Sequence, residues 1–169
     1  MIVAVAQNGV IGDSTENKLL WHIPEDLYRF SKMTRGHIVI MGHNTFRSLP
    51  NGKLKNRINV VLTKTSPTSE AQEEEGLFFT DIQNMWTILN QFAEKKVFVI
   101  GGSSIYQLLQ SFCKVVHYTL VDLKPCGDVM FPFSREWLKR KSNDGVDEGE
   151  WNESSSGIKY KYITYNLKH

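Results

Sequence analysis

The chain has 169 residues, 41% hydrophobic and 22% charged, with 20 Lys and Arg against 18 Asp and Glu for a formal net charge of +2. That length favours one domain, residues 1–169, with a core large enough to hide a ligand, and the composition is too apolar for a disordered chain. The balanced charge argues against nucleic-acid or membrane-surface partners, no apolar run reaches the 18 residues of a membrane span, and Cys113 and Cys126 offer neither a disulfide framework nor a metal-ligand spacing.

Ile2 to Ala6 reads as a buried central strand, apolar on both faces and ended by Asn8-Gly9. Gly12 to Asn17 is a polar loop. Pro24 opens a helix over 24–34, with Glu25 and Asp26 in its first turn and Leu27, Phe30 and Met33 or Thr34 as its buried stripe. His37 to Met41 is a second buried strand, followed by Gly42 and a short helix over 44–48, and Asn59 to Thr63 is a third. Residues 64–76 read as a solvated acidic loop and Leu77 to Phe79 as a short strand. Asp81 caps a helix whose apolar face is Ile82, Met85, Trp86, Leu89 and Phe92. Lys96 to Ile100 is a fourth buried strand, then come Gly101-Gly102, a helix over 103–110 and a long strand from Val115 to Val121. The tail carries turns at 143–145 and 154–157 and a polar-alternating strand from Ile158 to Leu167, an antiparallel hairpin on an edge. The class is α/β with a mainly parallel sheet, and ligands are expected beyond the carboxyl ends of its strands.

The unusual residues gather at those ends. Gly101-Gly102 and Gly42 each precede a helix, so backbone amides can face an anion such as a pyrophosphate, although neither GxGxxG nor a Walker lysine is present. Such turns are also commonly structural. Asp26 is either an exposed helix-start carboxylate or one held among apolar neighbours, able to accept two N–H bonds and assist proton transfer. Arg57, at the mouth of a strand, is either a surface charge or a fork for a carboxylate. His22, His117 and His169 show no metal-ligand spacing.

Taken together, IVAVAQNGVIG, LLWHIPEDLYRF, GHIVIMGHNTFRSLP, LKNRINVVLT, VFVIGGSSIY and HYTLVDLKPCGDVMFP resemble, in this order and over essentially the whole chain, the dihydrofolate reductase family. The resemblance implies a twisted, mostly parallel eight-stranded sheet with flanking helices and an antiparallel C-terminal edge. It implies NADPH-dependent reduction of 7,8-dihydrofolate to 5,6,7,8-tetrahydrofolate, hydride going to C6 and a proton to N5, in support of one-carbon metabolism and thymidylate synthesis. Antifolates are the expected inhibitors, and a cytoplasmic monomer with no nucleic-acid, membrane or metal partner is expected.

By the same resemblance, Asp26 matches the pterin-binding carboxylate, Thr119 the threonine bonded to it and Trp21 the tryptophan beside the active-site water. Ile2, Val3, Ala4, Leu27, Phe30, Leu49, Ile100 and Tyr106 match the substrate and nicotinamide walls, while Leu54 and Arg57 match the group holding the aminobenzoyl-glutamate tail. The cofactor set comprises Ala4, Ile11, Gly12, Leu19, Gly42, His43, Asn44, Thr45, Leu62, Thr63, Lys64, Ile100, Gly101, Gly102, Ser103, Ser104, Ile105 and Tyr106, with a cis Gly101–Gly102 peptide. Three features depart from the family pattern. Leu20 stands before the tryptophan where proline is usual, His43 stands where an arginine often grips the 2′-phosphate, and LKNR replaces LPxR. The loop from Gly12 to Trp21 is longer than in many bacterial members and, being polar, is expected to open readily. Two alternatives are a reductase of another heterocycle on this fold and an inactive folate- or nucleotide-binding relative. The pairing of Trp21, Pro24 and Asp26 with Arg57 weighs against the first, and retention of Asp26, Trp21 and Thr119 against the second.

Overall fold

The computed structural model describes residues 1–64, 74–143 and 145–168. Most of the acidic stretch at 64–76 and the centre of the 143–145 turn lie outside the described residues. In chain order the elements are β1 (Ile2–Ala6), β2 (Val10–Gly12), α1 (Pro24–Thr34), β3 (Ile38–Gly42), α2 (His43–Ser48), β4 (Ile58–Leu62), β5 (Leu77–Thr80), α3 (Ile82–Asn90), β6 (Val97–Gly101), α4 (Ser103–Leu109), β7 (Val115–Val121), β8 (Val129–Met130), α5 (Arg135–Lys141), β9 (Asp147–Glu148), β10 (Asn152–Glu153) and β11 (Lys159–Asn166).

Two panels form the sheet. One runs β5-β4-β3-β6, wholly parallel, and the other runs β1-β7-β11 with β9 and β10 on the outer edge of β11. β1 and β7 are parallel, and β11 is antiparallel to β7. β9 pairs Glu148 with Ile163, while β10 pairs Asn152 with Tyr160, one register apart. The two are therefore one outer strand broken by a bulge around Gly149. With that strand counted once, eight strands make up the two panels, as the resemblance implies. The C-terminal strand β11 is not itself an edge, because β7 covers one side of it and the broken strand the other. β2 and β8 form a separate antiparallel ribbon.

The panels meet where β1 comes beside β6. From β1 the chain passes through α1 to β3 on one side, and from β6 through α4 to β7 on the other. Such a reversal leaves a crevice at the strand ends. One face of the sheet packs Val3, Val5, Ile38, Ile40, Val60, Tyr118 and Ile163 against α3, α4 and α5. The opposite face carries a smaller cluster built on Ile2, Val39, Met41, Val61 and Phe98, with Phe30 and Met33 of α1 beside it.

Several local expectations are corrected. Leu27 is 44% exposed, since only Thr34 of α1 is fully buried and Phe30 and Met33 are half-buried. Trp86 is exposed and stacks edge-on with Phe112 rather than entering the core, and α3 ends at Asn90, before Phe92. The helix α5, capped by Ser134, and the β2–β8 ribbon were not anticipated from the pattern, being short and mixed in polarity. No helix of the described residues is long and apolar enough to cross a membrane, and these residues hold no cluster of three or more potential metal ligands.

Candidate active site

Pro24 starts α1 and places Asp26 in its first turn, facing the sheet. There Thr119, at the centre of β7, donates its hydroxyl to Asp26 Oδ1 at 2.7 Å. Burial pushes the Asp26 carboxyl above its ordinary range, while the Thr119 hydroxyl and the Arg29 guanidinium pull it partway back. The helix start is tied down from the far end of the chain. Glu25 accepts from Ser154 Oγ at 2.6 Å and from the Ser155 amide at 2.8 Å, which holds its carboxyl down at about 2. Ser156 Oγ donates to the His22 carbonyl at 2.5 Å. The 154–157 turn, read from sequence only as a turn, thus fixes the direction in which α1 presents Asp26.

Around Asp26 the predicted wall residues divide. Ile2, Phe30, Leu49, Leu54 and Ile100 share one apolar cluster, and Ala4 and Trp21 pack in a neighbouring one with Ile23 and Val121. Val3 does not join them. Strand alternation points its side chain into the core on the opposite face, leaving only its backbone for a ligand. The side chains of Leu62, Ile105 and Tyr106 also lie in that core. Ile11 packs against its margin. Tyr106 still reaches the centre of the molecule, its hydroxyl donating to the Ile2 carbonyl at 2.8 Å.

Arg57 follows Asn56, which adopts φ +59°, in a loop held by the buried Asn59. Asn59 Oδ1 accepts from the Leu54 amide at 2.8 Å, and its Nδ2 donates to the Leu54 carbonyl at 2.9 Å. The guanidinium lies against α1. Nε donates to Thr34 Oγ1 at 3.0 Å and Nη2 to Ser31 Oγ at 2.8 Å, with the Phe30 ring 5.8 Å away. The pattern of α1 gives no sign that Ser31 and Thr34 brace Arg57, nor does the strand pattern show that Asn59 holds the loop. The available signal was an asparagine inside the otherwise apolar strand INVVL.

The second half of the site is a backbone surface. The Gly101–Gly102 peptide is cis. A Cβ on Gly101, whose φ is +122°, would meet Tyr106 Oη at 3.3 Å, and one on Gly42 would meet Ile105 Cγ1 at 3.0 Å. Gly42 and Gly102 precede α2 and α4, and neither helix start has a side-chain cap. Two helix starts without a side-chain cap, each preceded by a glycine, suit the pyrophosphate of a dinucleotide. Thr45 and Ser103 are half-buried beside them, with Ser104 exposed, and the Thr63 amide is engaged by the Thr80 carbonyl at 2.9 Å. His43, Asn44 and Lys64 are exposed at the rim, the His43 ring lying edge-on to Phe79. These residues fit NADPH.

The loop between Gly12 and Trp21 is better held than its polarity suggested. Asp13 accepts from the Thr15 and Glu16 amides, Ser14 bonds the Asp128 carboxylate through both amide and hydroxyl, and Asn17 Nδ2 donates to the Asn44 carbonyl at 2.9 Å. Leu20 packs where Gly127 leaves room, since a Cβ there would sit 2.8 Å from Leu20 Cδ1 and 2.7 Å from the Gly12 carbonyl. Leu19 is 52% exposed. The polar residues thus serve as anchors.

A family model described as dihydrofolate reductase matches residues 1–167. The chain is 35% identical over 173 residues to the dihydrofolate reductase of Mycobacterium leprae, covering 98% of this chain and 96% of that protein. It is 34% identical over 166 residues, 96% of this chain, to a bifunctional dihydrofolate reductase-thymidylate synthase of Paramecium tetraurelia and spans 33% of that protein's length. Among solved structures, a dihydrofolate reductase from Enterococcus faecalis, complexed with NADP(H) and RAB-propyl, superposes with a TM-score of 0.78 at 27% identity, over 99% of this chain and 95% of that one.

Proposed function

The chain belongs to the dihydrofolate reductase family, and we propose that Asp26 is the group on which its reaction turns. That reaction is the NADPH-dependent reduction of 7,8-dihydrofolate to 5,6,7,8-tetrahydrofolate. The observation that carries the residue assignment is the 2.7 Å bond from Thr119 to a carboxylate that burial has pushed up. With one lone pair of Oδ1 occupied, the carboxylate retains acceptor positions for two parallel N–H groups, as the 2-amino and N3 edge of a pterin presents. Held this way the ring is polarised toward taking a proton at N5, and Trp21 screens the water that brings it. When bound, NADPH supplies the hydride that C6 receives.

Ile2, Ala4, Phe30, Leu49 and Ile100 exclude water from the ring faces and orient it. Arg57, braced by Ser31 and Thr34, meets the glutamate carboxylate of the tail. The glycine cradle at Gly42, Gly101 and Gly102 receives the pyrophosphate, with His43 and Lys64 near the 2′-phosphate. Residues 1–169 act as a single domain, and a cytoplasmic monomer inhibited by antifolates is the accompanying expectation. The test is the loss of NADPH absorbance on adding dihydrofolate, repeated with Asp26→Asn. Turnover that survives the substitution in a folded protein overturns the role given to Asp26.

A further inference from the structure

Behind Asp26, away from the edge that would meet a pterin, lies a polar layer that the reaction has not used. Arg29 stands three residues after Asp26 and therefore on the same side of α1. Its guanidinium sits 4.0 Å over the centre of the Tyr162 ring on β11. Tyr162 is the cross-strand partner of Thr119, which donates to Asp26. Arg29 on Tyr162, Tyr162 beside Thr119 and Thr119 on Asp26 thus form a chain of neighbours that leaves α1 for the sheet and returns to it. Arg29 Nη1 is buried and has no hydrogen-bond partner. No ion pair joins Arg29 to Asp26 among the described residues, so the cation acts across a gap.

The other groups that face this layer bear on Asp26 less. On α1, Glu25 is occupied by Ser154 and Ser155. On β11, burial holds the Tyr162 hydroxyl neutral, and Tyr160 packs against its ring. On β7, burial first, then the Met1 ammonium, Arg29 and Lys96, hold His117 down at about 4, so it is uncharged at neutral pH. The Met1 ammonium itself donates to the Val115 carbonyl at 2.6 Å. Arg29 remains as the permanent cation acting on Asp26.

We propose that Arg29 is a positioning residue for the reaction: clamped on Tyr162 behind the Thr119–Asp26 bond, it keeps the half-buried carboxylate ionised without touching the substrate. A carboxylate among apolar walls tends to take up a proton, and once protonated it can no longer accept two N–H groups. A cation placed behind it counters that tendency and leaves the pterin edge free. Tyr162 shields the guanidinium from water and fixes its height above the sheet.

This inference rests on the assignment of Asp26, and its test separates the two. The Asp26 carboxyl is titrated by carbon NMR in the ligand-free protein, with Asp26→Asn identifying its resonance. In Arg29→Met the midpoint rises by roughly one pH unit, about tenfold in proton affinity, the low end of what one nearby opposite charge supplies. Arg29→Lys, which keeps the cation, restores most of it. The acid limb of dihydrofolate binding moves with the midpoint, which a space-filling role would not produce. Arg29→Gln is a second neutral variant should methionine fail to fold. An unmoved midpoint in either folded neutral variant overturns the proposal. So does a failure of both neutral variants to fold while Arg29→Lys folds, because the arginine is then structural. If the midpoint moves but Asp26→Asn keeps full turnover, the assignment of Asp26 fails instead.

Discussion

β7 shows two chemistries on one strand. Its Val116, Tyr118 and Leu120 side chains enter the large core, where Tyr118 meets Tyr165 and Phe131 edge to face. On the other face His117 and Thr119 look toward Asp26 and Arg29 of α1, with Tyr162 of the neighbouring β11 beside Thr119. The first face is apolar and closed, so it contributes stability. The second holds a half-buried carboxylate, a neutral histidine and an unpartnered guanidinium atom, which cost stability and provide a site. Strand alternation alone permits this division.

The sharpest way to break the comparison is Asp26→Asn. Turnover at neutral pH should fall about 10²–10⁴-fold, the usual contribution of such a group. The same variant should melt higher. Burial raises the folded carboxyl, so the folded state pays for the ionised form at every pH above that raised value, and the amide removes the cost. Melting curves and steady-state rates on one sample check both. Leu138→Ala, on the apolar face, should do the reverse. It should lose about 2–5 kcal/mol of stability and keep its rate per folded molecule, because the side chain is 1% exposed in the large core.

Arg57→Leu should weaken dihydrofolate by about 10–150-fold, the worth of a roughly 1.5–3 kcal/mol charge-assisted contact, with NADPH nearly unaffected. A pterin without the glutamate tail should hardly distinguish the variant, and equal losses for both substrates would make Arg57 structural. For His117 the expected effect is on pH dependence. It is held at about 4 when folded, against 6.5 unfolded, so the unfolded chain binds more protons between those values. Stability contributed by the neutral ring is complete above about 6.5 and falls as pH drops toward 4. Denaturant melts of His117→Gln should be flatter across that window. Lys64→Ala should weaken NADPH up to about fivefold, the scale of an exposed charge pair, and spare NADH. Equal effects on both cofactors would remove Lys64 from the 2′-phosphate.

Much of the molecule was legible because it repeats short-range rules. Runs such as IVAVA and INVVL, short, β-branched and bounded by turn residues, read as buried strands, Pro24 and Asp81 mark helix starts, and the motifs around Trp21, Asp26 and Gly101 suffice for the family. What escaped was contact between residues far apart in the chain. Ser154 on Glu25 spans 129 positions and Asn17 on Asn44 spans 27, and polar turns look alike whether they dock or stay in water.

The sequence by itself determined the α/β order and the family, and through that resemblance marked Asp26, Thr119 and Arg57 as candidates, since periodicity and motif spacing are written locally. Only the tertiary structure decided which face each wall residue serves, turning Val3 into the core and leaving Leu27 exposed. It alone brought Arg29 over Tyr162 behind the carboxylate. The physical reason is that a side chain's environment depends on which strand lies beside its own, and the pairing of Tyr162 with Thr119 joins segments 43 residues apart.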